Sequence, residues 1–254
     1  MKINLNDNAN SRLASEPART IDKQIIVALD MPTAIAALEL CDRLPDVTFW
    51  KVGLELFIAD GAAVLRELKA RQKKIFLDLK LHDIPNTVGS ACRVATKYGA
   101  DFLTIHAAGG RAMMQAAQTE IAGSATQLLA ISLLTSISAS ELNNDLQVAL
   151  DVPEYVWQMI SMAQASGLTG AVCSPHEVKD LRSRLRLEFG EEIGNNFCFV
   201  TPGVRPTGSD VGDQRRVMTP QAAIAAGANY LVIGRPITAA ADPVAAWQAI
   251  INPV

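Results

Sequence analysis

Between Phe76 and Asn86 the chain reads FLDLKLHDIPN, which sets Asp78, Lys80 and Asp83 within six positions. Side chains alternate along a strand, so a strand over Lys74–Lys80 puts Phe76, Asp78 and Lys80 on one face, with Asp83 in the loop beyond. An ammonium beside a carboxylate at the exit of a buried strand can move a proton or stabilise negative charge growing on a substrate. The plain alternative is an ion pair capping a strand. Two further charges weigh against it. Lys51 lies between Trp50 and Val52, where a lysine is costly to bury without a partner, and Asp30 ends the run QIIVALD. Buried ion pairs often fail to repay their desolvation, so four such groups on neighbouring strands suit a site better than a stabilising device.

A second candidate lies near the C-terminus. Gly234-Arg235 offers a backbone N–H that a ligand can approach closely and a guanidinium able to grip phosphate through two hydrogen bonds. Arg205 and Gln214 fall in or near a long connection, and taken singly each reads as a solvated residue. His82, His106 and His176 have no metal-ligand spacing and none is paired with a cysteine, so metal or thiol chemistry is not expected. His106 reads as a rim histidine with satisfied hydrogen bonds, and His82 as a structural hydrogen-bonder.

The elements that must carry these residues alternate along the chain. Strands are expected at Gln24–Asp30, Thr48–Glu55, Lys74–Lys80, Phe102–Ala107, Gln127–Thr135, Gly170–Ser174, Asn196–Gly203 and Tyr230–Pro236. Most are continuous apolar runs, as parallel strands buried on both faces require. Helices are expected at Thr33–Arg43, Gly61–Arg71, Asn86–Tyr98, Arg111–Ile121, Pro153–Ala165, Pro175–Leu185, Pro220–Ala226 and Pro243–Ile251. Pro153, Pro175 and Pro220 sit where a first helical turn tolerates a missing N–H, and Gly99 and Gly227 read as helix stops. Eight β-then-α units close a barrel, so the expected fold is α/β, a single (β/α)8 TIM barrel over residues 21–254. The rival open, doubly wound sheet lacks its GxGxxG after the first strand. Ser136–Val152 and Arg205–Thr219 read as long loops at the C-terminal rim.

Bulk properties narrow the classes. The 254 residues carry a net charge of −3, so no global positive field favours nucleic acid or an anionic membrane surface. Residues 1–20 are polar, reading as a flexible tail with neither signal peptide nor membrane anchor. Cys41, Cys92, Cys173 and Cys198 are scattered and read as reduced core residues of a cytoplasmic protein.

The run DxKxxD, here Asp78-Leu79-Lys80-Leu81-His82-Asp83 followed by Ile84-Pro85-Asn86-Thr87, resembles the signature of the orotidine 5′-monophosphate decarboxylases. VALD, WKVG, LLTS, TPGVRP, GDQRR and VIGRP resemble the bacterial branch of that family, and the similarity runs from about Gln24 to the C-terminus. DxKxxD alone is shared by a wider superfamily. The resemblance implies loss of the C6 carboxylate of orotidine 5′-monophosphate to give uridine 5′-monophosphate, the last step of de novo pyrimidine nucleotide synthesis, without cofactor or metal. It implies that Asp78 lies against the substrate carboxylate and that Lys80 protonates a carbanion-like C6. Lys51 and Asp83 would complete an alternating Lys–Asp–Lys–Asp chain. Asp30 would hold ribose hydroxyls, Thr135 would touch the pyrimidine and Thr87 would bond across the site. Gln214, Gly234 and Arg235 would bind phosphate, with Arg205 at the same end. It further implies a homodimer in which Asp83 crosses into the partner's site. The alternative is a magnesium-dependent keto-sugar-phosphate decarboxylase or hexulose-phosphate synthase of the same superfamily. Those enzymes use an acid where this chain has Lys51, and a lysine repels a divalent cation. A barrel kept only as a phosphate-ligand sensor would have lost Asp78 or Lys80, and both are present.

Overall fold

A computed structural model describes residues 20–205 and 218–252. Eight parallel strands close a barrel in sequence order: β1 (Ile25–Leu29), β2 (Phe49–Val52), β3 (Lys74–Leu81), β4 (Phe102–His106), β5 (Gln127–Ile131), β6 (Gly170–Val172), β7 (Cys198–Thr201) and β8 (Tyr230–Ile233). Closure is made by β1 against β8, with Ile26 opposite Val232. The fold expected from the alternation is the fold found.

Period-two alternation divides the apolar residues between two cores. Ile25, Val27, Leu29, Trp50, Val52 and Leu77 point outward and pack under the surrounding helices. Ile26, Ala28, Phe49, Phe76, Phe102, Val200, Tyr230 and Val232 point inward and fill the barrel. At the N-terminal end the rings of Phe49, Phe102 and Tyr230 meet with centroids 5.1–5.6 Å apart, and Phe76 joins Phe102 at 5.9 Å. Offset and edge-on contacts of this kind add roughly 0.5–1.5 kcal/mol each beyond burial. The barrel is therefore plugged from below, and the next inward residue on three neighbouring strands is polar: Lys51 above Phe49, Asp78 above Phe76, Thr104 above Phe102.

The structure corrects several boundaries. The second helix begins at Leu54, not Gly61, and Leu54–Ala70 is two helical pieces joined across a kink at Asp60. Pro175 does not open a helix. Residues Ser174 to Glu177 form a turn, in which the Glu177 carboxylate accepts from the Ser174 N–H, and the helix runs Val178–Phe189. The connection 136–152 holds a short helix, Ala139–Asn144, opened by a reciprocal cap between Ser138 and Glu141. Pro236 belongs to a helical turn, Arg235–Thr238, and not to the eighth strand. A single helical turn, Ile21–Gln24, precedes β1, while the expected tail lies outside the described residues except for Thr20. Gly99 and Gly227 do end helices, with φ of +69° and +103°. Cys41, Cys92, Cys173 and Cys198 are buried, and burial pushes the Cys41 and Cys92 thiols up to about 12. Among the described residues, no helix is long and apolar enough to cross a membrane.

Candidate active site

A cavity of about 270 Å³ opens at the C-terminal mouth of the strands. Its floor is apolar, formed by Ala28, Phe76, Val172 and Val232 from the barrel interior. Four charged side chains line it on the β1–β3 side: Asp30, Lys51, Asp78 and Lys80. Thr135, Pro202, Gly203, Arg205, Gly234 and Arg235 complete the wall.

The charges form one chain. Lys51 Nζ lies 2.7 Å from Asp30 Oδ1 and 3.9 Å from Asp78 Oδ2, and Lys80 Nζ lies 2.8 Å from the same Asp78 oxygen. Lys51 and Asp78 are buried, whereas the Asp30 side chain is 58% exposed. Salt screens the Asp30 end, and the Lys51–Asp78–Lys80 segment keeps its field because its carboxylate is withdrawn from water. Alternation of sign lets each buried charge face an opposite one, which offsets its desolvation.

Lys80 arrives by a route the period-two pattern does not give. Leu77 pairs with Leu103, but Leu81 pairs with Ile105, so Asp78, Leu79 and Lys80 together face only Thr104. In an unbroken ladder Lys80 would stand level with His106; the irregularity holds it at the level of Thr104. Its backbone adopts φ +49°, a left-handed conformation that costs a residue with Cβ about 1–2 kcal/mol. The buried hydroxyl of Thr104 accepts the Lys80 N–H at 2.8 Å and donates to Asp78 Oδ1 at 3.0 Å. Thr104 was not among the residues singled out in the sequence. Its signal was there: one hydroxyl inside FLTIHA, two positions after an inward Phe102.

His82 and His106 meet just outside this cluster with ring centroids 5.2 Å apart. Burial, then the neighbouring His82 and Lys80, hold His106 below the usual histidine value, and Asp78 opposes them weakly. The histidines thus form a contact with each other, beyond the separate structural roles expected of them.

The remaining candidates divide cleanly. Asp30, Lys51, Asp78, Lys80, Thr135, Arg205, Gly234 and Arg235 share the cavity. Asp83 and Thr87 do not. Both are exposed, and the Asp83 carboxylate accepts from the Ile84 N–H at 2.6 Å. Lys51 is therefore chained to Asp30 and Asp78, and Asp83 is no member of the cluster within its own chain. Gln214 lies outside the described residues. Among the described residues, no group of three or more His, Cys, Asp or Glu side chains could hold a metal ion.

Fold and site together define a (β/α)8-barrel enzyme with a charged cavity at the strands' C-terminal mouth. Residues 23–250 match the model of the orotidine 5′-phosphate decarboxylase / HUMPS family, and the chain belongs to that family. It is 56% identical over 232 residues to orotidine 5′-phosphate decarboxylase of Gloeothece citriformis, covering 91% of this chain and 97% of that one. The Nostoc enzyme of the same name is 53% identical over 234 residues, covering 89% and 95%. A crystal structure of orotidine 5′-phosphate decarboxylase from Lactobacillus acidophilus superposes with a TM-score of 0.76 at 41% identity, covering 89% of this chain and 96% of that one.

Proposed function

We propose that the protein decarboxylates orotidine 5′-monophosphate to uridine 5′-monophosphate without a cofactor, with Lys80 as the proton donor. The observation that carries this reading is the Lys51–Asp78–Lys80 chain set over an apolar floor, with Arg235 and Gly234 on the same cavity. The C6–carboxylate bond breaks heterolytically, carbon dioxide leaves, and the electron pair remains on C6. The Lys80 ammonium attracts that pair and gives it a proton, and the amine recovers one from solvent. Asp78 stands beside the departing carboxylate. Like charges about 4 Å apart repel by roughly 4 kcal/mol at an effective dielectric near 20, and departure relieves the repulsion. The mobile charge stays in a cavity whose floor excludes water, where fixed charges act most strongly.

Phosphate is assigned to Gly234, Arg235 and Gln214, with Arg205 at the same end. Asp30 takes the ribose hydroxyls and Thr135 the pyrimidine. Asp83 and Thr87, exposed beside an exposed Ile84, are assigned to a neighbouring copy's site in a homodimer. The buried, scattered cysteines suit a cytoplasmic setting.

The magnesium-dependent relatives are disfavoured by position. Lys51 Nζ occupies the space between Asp30 and Asp78, where a divalent cation would have to lie against an ammonium. The deciding experiment follows the ultraviolet absorbance of orotidine 5′-monophosphate with EDTA present. Undiminished conversion to uridine 5′-monophosphate supports the reading; no conversion, or conversion restored only by magnesium, refutes it.

A further inference from the structure

We propose that Thr104 is a positioning residue for the Asp78–Lys80 pair, its single hydroxyl fixing a carboxylate and a backbone at once. The inference rests on the decarboxylase reading and extends it to a residue that does not border the cavity. A hydroxyl has one proton and two acceptor sites, whereas the Lys80 amide can only donate. The two contacts therefore have one arrangement: the amide donates to Oγ1 at 2.8 Å, and the hydroxyl proton goes to Asp78 Oδ1 at 3.0 Å. With Oδ1 held, the other oxygen of Asp78 is turned toward Lys80 and Lys51.

The same hydroxyl sits where the β3–β4 ladder breaks. Three residues of β3 face Thr104 alone, and Lys80 lies in the left-handed region there. The Oγ1 contact satisfies the Lys80 N–H within that irregularity. Removing it frees the segment to relax toward a regular ladder, which moves Lys80 up toward the level of His106, two residues or about 6.6 Å along a strand. Thr104 is fully buried and absent from the cavity wall, so its loss should act on the orientation of reacting groups and not on ligand affinity.

The test compares Thr104→Val, isosteric but without the hydroxyl, with Thr104→Ser, which keeps it. The Val variant should lose about 100-fold in kcat, the scale expected when reacting groups shift by an ångström. Its KM for orotidine 5′-monophosphate and its affinity for uridine 5′-monophosphate should hold within about threefold, and Ser should recover most of the kcat. Unchanged kcat in Val, a Ser variant as slow as Val, or a loss confined to KM overturns the proposal. Should Val not fold, Thr104→Ala against Thr104→Ser gives the same contrast. If the wild type leaves orotidine 5′-monophosphate unchanged, the decarboxylase reading fails and a crystal structure of the hydroxyl-less variant decides this one. Lys80 leaving its left-handed backbone supports it, and an unmoved Lys80 overturns it.

Discussion

The two ends of the barrel hold buried and half-buried cationic side chains on opposite terms. At the N-terminal rim the guanidinium of Arg182 donates to the carbonyls of Gly194, Asn195, Phe197 and Gly227 and to Asn229 Oδ1, at 2.6–3.4 Å. It also lies 5.1 Å from the Phe199 ring centroid, and Asn229 Oδ1 accepts the Phe199 N–H. Every partner there is neutral and the geometry ties the entries of β7 and β8 together. Burial, followed by Arg186, lowers the Arg182 pKa from its usual value. At the C-terminal mouth Lys51 and Lys80 have charged partners instead, on an irregular strand exit, beside an open cavity. One arrangement consumes its hydrogen-bonding capacity in holding the chain; the other leaves field and donors directed at whatever enters. Charge burial alone does not mark a site. Its pairing with strain and open volume does.

That contrast breaks first at Lys80. Lys80→Ala should leave a folded protein that has lost roughly 10⁴-fold in kcat, the upper range for a general acid. Activity should return in part when it is mixed with an Asp83→Ala chain, if sites are shared between copies. Substantial turnover by Lys80→Ala alone would remove the proton-donor assignment. At the opposite rim, Arg182→Met should leave kcat nearly unchanged and destabilise by about 2–3 kcal/mol, because several carbonyls lose their donor. Differential scanning calorimetry should read this as a Tm roughly 5–10 °C lower. A kcat loss without a Tm loss would reverse the comparison.

Arg235→Ala sharpens the phosphate end. It should raise KM about 10–100-fold, the worth of charge-assisted hydrogen bonds, with a smaller change in kcat. An unchanged KM takes Arg235 out of the phosphate site. The smallest effect belongs to His106, held below its ordinary value of 6.5 by burial, His82 and Lys80. Below that pH the unfolded chain takes up a proton that the folded one resists, so stability is full above 6.5 and declines as pH falls through the folded value. His106→Asn should flatten this decline by about 1–3 °C in Tm across that window. Identical slopes for variant and wild type would show that His106 does not set it.

Strand order, the buried faces and the gathering of Asp30, Lys51 and Asp78 were legible because each follows from period-two alternation and a closed parallel barrel. The helix at Ala139–Asn144 carries its own signal in the capping box Ser138-x-x-Glu141, although the stretch around it reads as loop. Lys80 was placed beside Asp78 for an incomplete reason. Alternation predicts a shared face, while the observed contact depends on an irregular register and a left-handed residue. Thr104 escaped notice because a lone threonine in an apolar strand is ordinary until its two partners are known. Alternation gives no place to Asp83, two residues beyond the end of β3, and only the resemblance, which implies that it crosses into a partner's site, sets it apart from its own chain's cluster.

By itself the sequence determined which side chains the barrel turns inward and which charges its first three strands carry to one mouth. Those facts depend on residue type and a fixed repeat. Only the tertiary structure decided the level at which Lys80 stops, which oxygen of Asp78 it meets, and that a neighbouring strand's hydroxyl holds both. Register between strands is set by contacts between residues distant in the chain, here Thr104 with Asp78 and Lys80, and no local pattern encodes such a contact.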